Sequence, residues 1–300
     1  MPLNKSWHEY NESLIERGRI LTDISFLRSA KKEIKNMNKG KVGAPFEYSS
    51  TYIQFLAFLK IGFKISYRTV QGIVRGLSDY IRIEEIHFTQ IRRRILKAKP
   101  SIGDLNLDDD GEDKRPITLI VDASGLTITK KGDYIEQKWI RKKKEFIKLH
   151  IAVDAKSKKV IVSFRVTKGN VHDSKKFSPM IREVSEQYDI GKVYADKAHD
   201  NRRSFNLLDN LNIEPAINIR NNASVKTKQC RLRREEVLLI KKLGYERWKQ
   251  FKDAGRRWTA EIVFSSIKRV FGENLLSKKF KAQKIEAGLK VMLYNKFMGL

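Results

Sequence analysis

The chain has 300 residues, with 62 lysines and arginines against 35 aspartates and glutamates, a formal net charge of +27 at pH 7. Hydrophobic residues make up 41%, enough for a sizeable core, so wholesale disorder is excluded. The positive charge is spread along the chain rather than gathered on one amphipathic helix, which sets aside a membrane-surface protein and points to a polyphosphate partner.

Residues 1 to about 104 read as a helical region. YSSTYIQFLAFLKIGF carries Phe55, Leu56, Phe58 and Leu59 after Ser49 and Ser50, which suit a helix cap. A second segment opens at Ser66, with Val70, Ile73, Val74 and Leu77 at helical spacing. A third begins at Thr89, with Ile91 and Ile95 on one face and Arg92, Arg93, Arg94 and Lys97 as candidate DNA contacts. Three short helices ending in a basic one predict a helix-turn-helix-like DNA-binding unit, the bland alternative being a small bundle with a solvated basic face. Residues 105–116, rich in aspartate and punctuated by Gly111 and Pro116, read as an acidic linker. A calcium loop there is discounted, because the ligand spacing and flanking helices are missing.

Beyond Pro116 the texture becomes strand-like. ITLIVDASGLTI, a turn at Gly132, YIEQKWI, FIKLHIAVD and KKVIVSFRVT read as strands, the last two joined as a hairpin through AKSK. DSKKFSPMIREVSEQY reads as a helix capped near Asp173 and interrupted early by Pro179. KVYADKA is a strand, RRSFNLLDNL a helix and EPAINIR a short strand. RRWTAEIVFSSIKRVFG is a late helix ended by Gly272. The order predicts an α/β domain, a mixed sheet flanked by helices, over residues 117–300. A basic insertion lies at about 220–256.

Three carboxylates stand out. Asp122 ends the apolar run ITLIV, and Asp196 ends GKVYA in the same way. A carboxylate ending a central strand is costly unless paired or metal-bound. On the late helix, Ala260, Val263, Phe264, Ile267, Val270 and Phe271 share one apolar face. Arg257, Glu261, Ser265 and Lys268 cluster beside it within about a quarter turn. An Arg257–Glu261 ion pair on a solvated face is the dull reading of that cluster. Together, Asp122, Asp196 and Glu261 suggest a set of hard oxygen ligands for a divalent cation. Asp154 fits a hairpin turn and Asp173 a helix cap, while His172 and His199 lie beside acids without zinc-ligand spacing. No phosphate-binding GxxxxGK[ST] loop is present, so no nucleotide cofactor is expected. The lone Cys230 excludes an intrachain disulfide. MPLNKSWHEYNESL lacks a leader's apolar stretch, and no run approaches the roughly 18 apolar residues of a membrane span. A cytoplasmic, nucleoid-associated protein is expected.

These blocks resemble those of insertion-sequence transposases of the Asp-Asp-Glu (DDE) type, in particular the Tyr-Arg-Glu-Lys signature group, the fourth and fifth insertion-sequence families. Arg257-x3-Glu261-x6-Lys268 reproduces the last three signature members, while the tyrosine position is Ala254. VDASGL and YADKAHDN resemble the blocks around the two aspartates, and the likeness covers roughly residues 45–300. The resemblance implies a ribonuclease H-like catalytic domain, with Asp122, Asp196 and Glu261 as catalytic and metal-binding residues. It implies Mg²⁺, with Mn²⁺ able to substitute and two ions in use. Arg257 and Lys268 would contact DNA, and subunits would pair as a homodimer on transposon ends and target DNA. A metal-dependent nuclease of the same fold, or a non-catalytic DNA-binding derivative, are the alternatives.

Overall fold

A computed structural model describes residues 6–97, 100, 116–128, 145–155, 160–226 and 229–299. The acidic linker up to residue 115, the Gly132 turn with YIEQKWI, and the KSK of the AKSK hairpin turn lie outside the described residues. The chain divides into two compact units. One comprises Met1–Ser101, Val270–Gly272 and Lys281–Leu300, the other Ile102–Arg269 and Glu273–Phe280.

The first unit is helical. It contains α1 (Trp7–Leu21), α2 (Phe26–Asn38), α3 (Ser50–Gly62), α4 (Tyr67–Ser78) and α5 (Phe88–Lys97). The caps fall where hydroxyl side chains can take an orphan amide. Ser49 Oγ accepts from the Tyr52 N–H and Ser66 Oγ from the Thr69 N–H, both at 3.2 Å. Packed together, α3, α4 and α5 bury Leu56, Val70, Val74, Ile91 and Ile95 almost completely.

The second unit is built on a sheet of β1 (Ile117–Ile128), β2 (Phe146–Asp154), β3 (Ile161–Lys168), β4 (Ile190–Ala195), β5 (Glu214–Ile217) and β6 (Asn274–Leu275). The strand order is β3-β2-β1-β4-β5, with β6 paired to β1. Strands β1, β2 and β3 run antiparallel, whereas β4 and β5 run parallel to β1. Because side chains alternate across a strand, Leu119 and Val121 of β1 face one layer and Ile120 the other. The first layer packs on α6 (Ser174–Ser185) and α7 (Arg202–Asn210) through Phe177, Ile181, Phe205 and Leu208. The second gathers Ile120, Tyr194 and Ala216 against Ala260 of a later helix, α10, described below. The mixed sheet with helices on both faces is the one that the order of elements predicts, and its strand order is the ribonuclease H-like arrangement that the family resemblance implies.

Between β5 and α10 the basic insertion forms α8 (Arg231–Leu243) and α9 (Tyr245–Phe251). It is anchored rather than loose. Trp248, fully buried, donates Nε1–H to Glu236 at 3.1 Å. Lys252 donates to Glu214 at 3.1 Å and lies 2.7 Å from Glu236, and Lys192 reaches Glu214 at 3.2 Å. Arg233 grips the buried Asp200 at 2.6 and 3.1 Å. Helix α10 (Trp258–Phe271) follows, then α11 (Phe280–Met298).

Two expectations are corrected, and one grouping is new: Lys281–Leu300 clusters with the N-terminal helices. There Phe297 stacks on Phe271 and takes Arg17 over its ring, contacts between distant segments that no local pattern reveals. Helix α6 runs unbroken through Pro179, where the ring removes a single helical donor. Asp173 occupies the N-cap position without capping. Its carboxylate accepts from Lys148 at 2.9 Å, and His172 Nδ1 takes the Ser174 N–H instead, at 3.3 Å.

Phe205→Ala removes a fully buried ring from the α7–sheet layer. The expected loss is about 3–5 kcal/mol, read from the urea unfolding midpoint of the sheet unit.

Candidate active site

Strand β1 carries Asp122 near its middle, on the α10 side with Ile120. Register sets its neighbour. Val121 pairs with Ala195 across the parallel β1–β4 ladder, so Asp196, the residue just past the end of β4, stands alongside Asp122. Adjacent strands lie about 4.8 Å apart. At Asp196 the strand ends and a 3-10 turn, Lys197–His199, begins. Asp196 Oδ1 accepts the Ala198 N–H at 2.9 Å. Asp122 Oδ1 accepts the Ala123 N–H at 2.8 Å. Each aspartate thus ties one oxygen to its own backbone.

Glu261 arrives from the first turn of α10. Its neighbour Ala260 is fully buried against Ile120, Tyr194 and Ala216, which holds this turn to the sheet. Arg257 was read as part of the same helix but belongs to a preceding 3-10 turn, Ala254–Arg257, entered through Asp253 at φ +52°. From there its guanidinium lies 3.5 Å from Asp122 Oδ2 and 3.6 Å from Glu261 Oε1. A cleft of about 610 Å³ opens beside these groups, lined by Asp122, Ala123, Ser124, Glu261, Phe264, Ser265, Lys268, Arg269 and Glu273. Asp196 influences Asp122 electrostatically but is not on the cleft wall. Sequence reading did not single out Arg269 and Glu273. Their only signals were adjacency to Lys268 and to the Gly272 stop.

Burial pushes the Asp122 carboxyl up to about 6. The charges of Asp196 and Glu261 act in the same direction, while the Ala123 N–H and Arg257 oppose them. His199 is buried against Phe177, and burial holds its imidazole below the usual range. His150, bonded to Thr167 at 2.9 Å, is pushed down to about 4 by burial.

Among the described residues, no three His, Cys, Asp or Glu side chains stand as a ready-made metal cluster. The donor chemistry nevertheless fits a hard divalent cation, since Asp122, Asp196 and Glu261 supply only oxygen. A cationic group, the Arg257 guanidinium, already bridges two of the three. The expected basic residues of α5 belong to the first unit. Arg92, Arg93 and Lys97 are exposed there. Arg94 is committed to Glu47 at 3.0 Å and to the Tyr48 ring at 4.6 Å.

The chain matches a family model described as a transposase DDE domain over residues 113–296. A second model of the same description matches residues 15–131. No curated protein matches it. Among solved structures, the piggyBac transposase synaptic complex with hairpin DNA is 10% identical, with 95% of this chain and 74% of that one covered and a TM-score of 0.42. For the Drosophila P element transposase strand transfer complex the values are 14%, 96%, 71% and 0.34. For the Mos1 mariner paired end complex with Mn they are 11%, 90%, 84% and 0.26.

The raised Asp122 carboxyl has a consequence for stability. A native state that holds this proton up to about pH 6 loses stability as pH rises from about 4 through 6 and stays lower above it. Asp122→Asn keeps shape and acceptor without the charge. It should be more stable than the parent at pH 7 by on the order of 2 kcal/mol, the gain vanishing near pH 4. Denaturant unfolding at the two pH values checks this.

Proposed function

This chain belongs to the transposase DDE domain family, and from that premise we propose that it is the transposase of an insertion sequence, of the Tyr-Arg-Glu-Lys signature group. It is an enzyme of DNA strand cleavage and transfer. Its substrates, in this reading, are the terminal inverted repeats of its own element and a target duplex. The observation that supports the catalytic assignment most directly is the Val121–Ala195 pairing, beside which Asp122 and Asp196 are neighbours on the face that α10 covers.

Asp122, Asp196 and Glu261 would hold a pair of divalent ions, Mg²⁺ or in its place Mn²⁺. Such ions supply Lewis-acid charge at the attacking and leaving oxygens of an in-line phosphoryl displacement. The chain's own groups do the rest. Asp122, with its carboxyl at about 6, is ionised at neutral pH and available as a ligand. Ala123 and Ser124 on the cleft wall leave room for a phosphate backbone. Lys268, on the same wall, and Arg257, beside Asp122 and Glu261, neutralise phosphate charge near the scissile bond. The work is positioning and charge neutralisation.

Recognition of the ends falls to the α3–α5 unit, through Arg92, Arg93 and Lys97, with Arg94 held back by Glu47. A homodimer would bring two ends together. The net charge of +27 makes binding steeply dependent on salt.

The test uses labelled DNA carrying the element's flanking ends, with Mg²⁺ or Mn²⁺. Wild-type protein should cleave and join. Glu261→Gln should lose both by about 100-fold or more while still binding the DNA. Cleavage and joining unchanged in Glu261→Gln would remove Glu261 from the site. Cleavage without joining of a pre-cut end would identify a nuclease.

A further inference from the structure

His199 lies three residues beyond Asp196 and is only 2% exposed. Its ring rests on Phe177, centroids 5.1 Å apart at 41°. Nε2 is 3.6 Å from Asp196 Oδ1, while Nδ1 has no hydrogen-bond partner among the described residues. These facts select a tautomer. With the proton on Nδ1, a buried N–H would go unpaired and a lone pair would face a carboxylate, two unfavourable terms at once. With the proton on Nε2, the donor faces the carboxylate and only a weak acceptor is left unmatched.

At 3.6 Å the Nε2–H is just outside hydrogen-bond range. A shift of well under 1 Å closes the contact. Asp196 Oδ1 is already held by the Ala198 N–H at 2.9 Å, so both donors act on the same oxygen and leave Oδ2 unconstrained by either. The ring itself has little freedom, enclosed between Phe177 and the turn that carries it.

We propose that His199 is a positioning residue for Asp196: seated on Phe177, it presents Nε2–H to Oδ1, keeps that oxygen turned toward the Ala198 amide, and so presents Oδ2 to the metal site. The inference rests on the metal-binding role proposed above for Asp196. Residues that orient a ligand without touching the metal commonly change metal affinity by about 10- to 100-fold.

Mn²⁺ is titrated into the full-length chain without DNA and followed by electron paramagnetic resonance. Four proteins are compared: wild type, His199→Phe, His199→Gln and Asp196→Asn. His199→Phe keeps a ring on Phe177 but loses the donor. His199→Gln restores an N–H at similar reach. His199→Phe should keep the thermal unfolding midpoint yet bind Mn²⁺ about 10-fold or more weakly, and His199→Gln should recover most of the affinity. In cleavage assays the His199→Phe defect should disappear at saturating Mn²⁺, because turnover with the ligand occupied is unaltered. If His199→Phe does not fold, His199→Met takes its place. Wild-type affinity in the Phe variant, or a Gln variant as weak as Phe, overturns the positioning role. Asp196→Asn separates this from failure of the underlying reading: wild-type Mn²⁺ affinity in that variant would remove Asp196 from the metal site altogether.

Discussion

The site depends on one pairing, the parallel ladder between β1 and β4. Its register sets Val121 against Ala195, and so sets Asp122 of β1 beside Asp196, the residue just past the end of β4. A slip of one residue would send every side chain of β4 to the opposite face. Tyr194 would leave the layer it shares with Ile120, and Val193 would leave the one it shares with Phe177. The two hydrophobic layers therefore hold the aspartates in place, although neither layer contains them. The arrangement is unfavourable in itself. Asp122 is partly buried beside like charge, which is why its carboxyl holds a proton to about 6. Core packing on both faces offsets that cost, and the strained chemistry persists because the sheet around it cannot relax.

Arg257 moderates the same conflict from another direction. It reaches Asp122 and Glu261 from a short turn rather than from α10. That turn begins two residues after Lys252, whose ammonium is buried between Glu236 and Glu214. The helical insertion is thus fastened to the sheet edge a few residues before it delivers Arg257. Removing one member of a buried pair leaves an uncompensated charge, so such a clasp opposes partial detachment more than its net contribution to stability would suggest. The insertion's basic composition suggests a DNA-facing surface, but its buried Trp248–Glu236–Lys252 network has a structural task as well.

Much of this was legible in the sequence, for identifiable reasons. Apolar runs stopped by Asp122 and Asp196 are visible because a buried strand has an unmistakable composition and a carboxylate interrupts it. The caps at Ser49 and Ser66 are local chemistry. Glu261 could be read from the 3.6-residue period of α10, whose apolar positions leave it on the flank. Other features were hidden because they depend on contacts between remote segments. Asp173 looked like a cap until Lys148, 25 positions earlier, offered its ammonium. Arg94, a candidate DNA contact in the sequence, also pairs with Glu47 and lies over the Tyr48 ring, partners 47 and 46 positions earlier. The grouping of Lys281–Leu300 with the N-terminal helices joins segments far apart in sequence, as the Arg17–Phe297 contact illustrates.

The acids differ in how firmly they are held. Asp122 is fixed by a strand on each side and by the Ala123 amide. Asp196 stands where a strand gives way to a turn, with the Ala198 amide at 2.9 Å and the His199 imidazole at 3.6 Å on its Oδ1. Glu261 is the most exposed of the three, at 65% of its side chain, and is held by the packing of α10 and by the Arg257 guanidinium 3.6 Å away. The carboxylate of β1 is therefore the fixed point of the cluster, and Asp196 and Glu261 are placed relative to it by a turn and a helix end. That fixed point is secured by the sheet, whose layers pack on both faces of β1.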